Sequence, residues 1–248
     1  MHLTCLSDRY HVCPWAHPED SFATLTSLKI DAPLLYNGLF NSSPRSSFDI
    51  SLANLTSLSV TQLNESVYRL TENRLETFFD FLMGLTRLEE LTIESFALPS
   101  TPYPERRGFL PIHIRRLTVV RTGGAELTFL LTRFDPVELR LEYCTFVSTI
   151  PGCTCLRLRG IPLRRDGLVD AMWGWDGLDL EVTSSPAFGD DLVRGLENRM
   201  HTERRPVWPS MMRIRIQDCP YSDRLFGRML DQRTQLLKRP RASSSRRS

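Results

Sequence analysis

The sequence predicts an α/β fold, an irregular solenoid of about eight short parallel strands whose convex side carries helices and loops. Three observations predict it. Leu fills 37 of 248 positions, roughly twice an average share. A short pattern, one apolar residue followed after two variable ones by L-x-[LIV], recurs along most of the chain. Stretches with apolar residues at helical spacing occupy the longer intervals between its copies, as amphipathic helices would.

Residues 1–24 precede the first copy and are expected to cap the array, with Trp15 and Phe22 covering the first repeat, because a solenoid has to shield its terminal core. Four regular copies follow: Leu25-x-x-Leu28-x-Ile30, Leu55-x-x-Leu58-x-Val60, Leu88-x-x-Leu91-x-Ile93 and Ile114-x-x-Leu117-x-Val119. Four looser ones begin at Pro136 (Leu139, Leu141), Cys153 (Leu156, Leu158), Trp175 (Leu178, Leu180) and Met211 (Ile214, Ile216). Side chains two apart on a strand share a face, so each L-x-[LIV] sends two side chains into the core and the residue between them outward. The copies are 30, 33, 26, 22, 17, 22 and 36 residues apart. Helices are expected over 74–85, 125–134, 166–173, 190–200 and 222–237, the last with Ser222 as its N-cap. The 17-residue interval contains Pro151 and Gly152 and is expected to return as a loop. Residues 97–111, with four prolines, are expected to form a surface insertion. The array therefore spans 25–237, leaving 238–248 as a disordered basic Ser/Arg tail.

Three residues after the second inward side chain stand Pro33, Leu63, Phe96, Thr122, Cys144, Ile161, Thr183 and Cys219. The two copies that end in Cys, Leu139-Arg-Leu141-Glu-Tyr-Cys144 and Ile214-Arg-Ile216-Gln-Asp-Cys219, resemble the cysteine-containing type of leucine-rich repeat. Over about residues 20–237 the chain resembles the leucine-rich-repeat region of fungal F-box-like proteins. The resemblance implies a non-enzymatic protein-interaction module, possessing no cofactor, that recruits substrates to a ubiquitin ligase. No F-box is visible before Leu25, so binding to the ligase adaptor is not expected of this chain.

The net charge of +2 misleads, because Lys238, Arg239, Arg241, Arg246 and Arg247 all lie in the acid-free tail and residues 1–237 carry −3. A nearly neutral body argues against nucleic acid, which requires a net basic face. The tail reads either as a nuclear-import signal or as a solvated terminus. No stretch is long and apolar enough to cross a bilayer, and no secretory leader is visible. The chain is thus expected in the cytoplasm, the nucleus or both, with its six Cys reduced. Its oligomeric state has no signature in the sequence.

Phosphate loops, nucleophile elbows and zincin motifs are absent, so no small-molecule substrate is expected. The alternative reading, a metal-dependent protein or enzyme, rests on Cys5, His11, Cys13 and His17, whose spacing differs from that of structural zinc sites. Trp173 and Trp175 read as core, whereas Trp208, on a loop, is a candidate contact residue. The outward strand positions form the expected concave face. They include Asp31 and Thr61 near the start, and the densest charge falls on Arg140, Glu142, Arg157, Arg159, Asp179, Glu181, Arg213 and Arg215. On this reading Arg159 lies between Glu142 and Glu181, Asp179 lies between Arg157 and Arg213, and a protein partner docks there.

Overall fold

The computed structural model describes residues 2–5, 24–35, 52–61, 72–98, 110–146, 150–163 and 167–238. They form an α/β structure with one open sheet, in which every neighbouring pair is parallel and strand order equals chain order. The strands are β1 (His2–Cys5), β2 (Ser27–Asp31), β3 (Ser57–Thr61), β4 (Glu90–Glu94), β5 (Ile112–Val120), β6 (Phe134–Glu142), β7 (Cys155–Arg159), β8 (Asp179–Thr183) and β9 (Arg213–Gln217). Eight of them, β2 to β9, are the strands the repeat predicts. The sequence pattern did not reveal β1, which lies in the segment expected to be a cap; 6–23 fall outside the described residues, as do 239–248 of the tail and 99–109 of the Pro-rich insertion.

Besides a single helical turn at Ala32–Leu35, which the sequence pattern did not reveal, five longer helices fill intervals between strands or follow the last one: α1 (Glu72–Gly84), α2 (Gly124–Arg133), α3 (Leu168–Gly174), α4 (Asp190–Glu203) and α5 (Asp223–Lys238). Each lies within three residues of its expected bounds. Helix α1 buries Leu75, Phe78, Phe79 and Leu82, the i, i+3, i+4, i+7 stripe that makes a helix pack on a sheet. Phe79 in turn meets Phe129 of α2 at 5.9 Å and Phe134 of β6 at 6.0 Å, so ring contacts tie together the returns on either side of the β4–β5 connection. Helix α4 joins α5 through Glu197, which accepts two hydrogen bonds from Arg228 at 2.8 and 2.7 Å. Arg233 of α5 donates to the carbonyls of Val207, Trp208 and Met211 and holds down the loop that enters β9.

The inward side chains stack in two rows. One runs Leu28, Leu58, Leu91, Leu117, Leu139, Leu156, Leu180, Ile214, and the other Ile30, Val60, Ile93, Val119, Leu141, Leu158, Val182, Ile216. From β2 to β8 none of these is more than 3% exposed, and burial of such a side chain is worth about 1.5–3 kcal/mol. The seventh copy sits two residues later than the sequence pattern suggests. Leu180 and Val182 point inward, and Leu178 is 37% exposed. The physical reason is Trp175. A Cβ at Gly177 would lie 2.4 Å from the Trp175 ring and 2.3 Å from the Cys153 carbonyl, so the indole fills the space that the first apolar side chain occupies elsewhere. Its Nε1 donates to the Cys153 carbonyl at 3.2 Å.

Each strand from β4 to β9 ends in the same device. Two residues past the second inward side chain come Ser95, Arg121, Tyr143, Gly160, Ser184 and Asp218, all left-handed with φ between 47° and 61°. The first five still donate their N–H to the next strand, to Val120, Glu142, Arg159, Thr183 and Gln217 in turn, at 2.8–3.1 Å. The residue that follows dives inward. There Cys144 donates its Sγ–H to the Val119 carbonyl at 3.4 Å, while the Thr122 and Ser185 hydroxyls accept the N–H groups of Phe96 and Ile161 at 3.2 Å. With the corrected register Ser185, not Thr183, occupies this position in the seventh copy.

Two substitutions test this account in urea unfolding. Ser185→Ala removes the acceptor of a buried N–H and is expected to lower stability by about 1–3 kcal/mol. Gly177→Ala is expected to cost at least as much, because its methyl group meets carbonyl oxygens of Cys153 and Thr154 at 2.3 and 2.8 Å that cannot swing away as a flexible side chain would. A Gly177→Ala variant as stable as the parent would reject the Trp175 explanation.

Candidate functional site

The eight charged residues singled out from the sequence lie together on the open face of β6–β9. Parity puts them there, because the side chains between the two inward rows must point to the other side. Three rows result: Glu138, Cys155, Asp179, Arg213; then Arg140, Arg157, Glu181, Arg215; then Glu142, Arg159, Thr183, Gln217. The register shift at β8 changes the neighbours. Arg159 lies between Glu142 and Thr183 rather than beside Glu181, and Asp179 lies between Cys155 and Arg213 rather than beside Arg157. Glu181 instead separates Arg157 from Arg215. At the other end of the face, Asp31 and Thr61 are buried rather than displayed.

Glu138, which the sequence reading passed over, is the centre of the charge network. Its carboxylate receives Arg116 Nε at 3.2 Å and Arg157 Nε at 3.2 Å, with Arg140 Nη2 at 3.7 Å. Arg116 also pairs with Glu90 on β4, and Arg157 reaches Glu181 at 3.5 Å. The signal was available in the sequence, since Glu138 is an outward acid whose neighbouring strands both carry outward Arg. Beyond this network Arg213 makes two 2.7 Å hydrogen bonds to Asp179 and holds that carboxyl below its ordinary range. Cys155 donates its thiol to Asp179 at 3.5 Å. Arg159 and Arg215 have no ionic partner among the described residues, and both are exposed.

Asp179, Glu181, Met212, Arg213 and Arg215 help line an open depression of about 590 Å³. Burial pushes the Cys144 and Cys153 thiols up to about 11 and, with Asp179, raises that of Cys155, which leaves little thiolate for nucleophilic attack at neutral pH. Among the described residues no three His, Cys, Asp or Glu side chains come together as a metal would require. Of the Cys5, His11, Cys13 and His17 cluster, only the backbone of Cys5 is described, within β1. Trp208 is no contact residue: it is fully buried, with its Nε1 donating to the Met172 carbonyl at 2.7 Å.

The network makes a prediction about salt. Glu138→Gln leaves Arg116, Arg140 and Arg157 without their shared counter-charge, so the variant is expected to lose about 1–2 kcal/mol. Added salt screens the resulting repulsion, so 0.5 M NaCl should narrow the gap in Tm between variant and parent. A gap that widens with salt would show that Glu138 is not the counter-charge.

No protein-family model, curated protein or solved structure matches this chain.

Proposed function

We propose that the chain is a leucine-rich-repeat solenoid acting as a protein-interaction module, with the open face of β6–β9 as its concave recognition surface. The observation that carries this reading is the contrast within one rigid array. Glu90, Arg116, Glu138 and Arg157 form ion pairs with one another, whereas Arg159 and Arg215 stand exposed with no ionic partner among the described residues. Side chains fixed by a parallel ladder are pre-organised, which lowers the ordering cost of binding. The mixed signs suit the varied surface of a protein and disfavour the uniform negative charge of nucleic acid. The resemblance to F-box-associated repeats gives the specific form: this face selects a substrate for a ubiquitin ligase. With no helix long and apolar enough to cross a membrane among the described residues, the reading assigns it no membrane partner.

A charge swap tests the surface. Glu142→Arg with Arg159→Glu keeps net charge and neighbour relations while inverting the pattern that a partner meets. Affinity purification should recover a protein with the parent and with a control reversing Arg204 and Arg224, on the helical side, and lose it by about tenfold or more with the swap. Capture that survives the swap and fails with the control would put the docking site elsewhere.

A further inference from the structure

The last strand of the sheet is unfinished. The inward side chains of β8, Leu180 and Val182, are at most 1% exposed, but the corresponding Ile214 and Ile216 of β9 are only half-buried. No strand lies beyond β9 among the described residues, and α5 packs on α4. A free edge of this kind offers backbone N–H and C=O groups to another strand.

Charge says what could occupy it. Across the open face the sign alternates from strand to strand in register: Glu90, Arg116, Glu138 in one row, Asp179, Arg213 at its far end, and Arg157, Glu181, Arg215 in the next. Both rows stop on an Arg. Arg213 is 81% exposed despite its pair with Asp179, and Arg215 has no partner among the described residues. A second copy of β9 would set Arg against Arg, which is unfavourable for directly opposed like charges. Residues 239–248 carry four Arg and no acid, so the chain's own C-terminal segment has the wrong sign.

We propose that the edge of β9 accepts an extended segment of another protein as a tenth strand. Acidic residues at alternate positions of that segment continue the Asp179–Arg213 and Glu181–Arg215 rows, and apolar residues between them cover Ile214 and Ile216. Backbone pairing supplies the affinity and the alternation supplies the specificity, as in other strand-addition complexes. The occupied surface is the sheet edge, which shares Arg213 and Arg215 with the face discussed above but not Glu142 or Arg159.

The probe is a fluorescein-labelled synthetic nonapeptide alternating Glu and Val, followed by anisotropy with the full chain. Saturable binding is expected. It should weaken at least tenfold when Lys replaces Glu, when the same residues are rearranged into a Glu block and a Val block, and when alternate peptide nitrogens on either edge are methylated in two separate peptides, one of which must fail. Arg215→Glu should weaken binding at least tenfold and keep its fold, because that side chain is exposed and unpaired. The Glu142→Arg, Arg159→Glu swap should leave peptide binding unchanged, separating this edge from the proposed recognition face. Absence of binding, equal binding of the block peptide, or insensitivity to both methylated peptides would overturn the proposal, as would a stable dimer of the free chain by light scattering that is abolished by Arg215→Glu.

Discussion

Everything in this molecule depends on how a strand ends. A parallel sheet built in chain order obliges each strand to leave the sheet, travel around one side and return beside itself. The left-handed residue at the end of each strand from β4 onward makes the exit possible without ending the ladder. It turns the chain inward while its own N–H still reaches the next strand, at Ser95, Arg121, Tyr143, Gly160 and Ser184. A non-Gly residue in this conformation is strained by about 1 kcal/mol or more, so five side-chain-bearing residues, from Ser95 to Asp218, represent a real cost. The hydrogen bond made at the exit and the side chain buried immediately after it, apolar at Phe96 and hydrogen-bonded at Thr122, Cys144 and Ser185, offset that cost.

The same device permits irregular spacing. Since the exit and the inward rows are fixed, the return can be a 13-residue helix, as between β3 and β4, or a loop, and the register is unchanged. The cost of a longer return grows only slowly with its length. What the return must supply is apolar cover. Where a helix does so, rings from returns two repeats apart meet, as Phe79 and Phe129 do. Between β7 and β8, Trp173 and Trp175 contribute large buried surfaces from a seven-residue helix and its exit. Trp208 serves the next interval from a loop. These aromatic residues are structural because the returns they sit on are short or irregular, and a loop position is no sign that an indole faces solvent.

Most of the architecture was legible in the sequence because its cause is local and periodic. Strands β2 to β7, β9 and the five longer helices follow from apolar spacing. The misplaced register of β8 has a different origin, an exchange of volume between residues that are not equivalent in the repeat. At β8 the pattern matched Trp175 and Leu178 because both are apolar, yet Gly177 is the residue at the repeat position and the Trp175 ring fills its space. A slip of two residues keeps the parity of a strand. For that reason Asp179 and Glu181 still faced outward as expected while their neighbours across the sheet were misassigned. The position after the exit was also obscured. The resemblance rests on Cys at this position, and here hydroxyls of Thr122 and Ser185 take it and accept a backbone N–H from the preceding copy. Chemistry is retained while residue identity is not.

The charged face shows how one array can contain both matched and unmatched charges. Glu138 is held by guanidinium groups from β5 and β7 and is only 15% exposed at its side chain, so its charge is spent within the sheet. Exposed ion pairs usually contribute little to stability, yet a half-buried hub with several partners restricts the long Arg side chains around it and fixes where their remaining donors point. Arg157 illustrates the result: bound on one side by Glu138 and on the other by Glu181, it is a poor candidate for a partner's carboxylate. Arg159 and Arg215 have no such claims on them. Recognition should therefore depend less on the amount of charge a strand carries than on which charges the register leaves unmatched, and that quantity exists only once β8 is placed correctly.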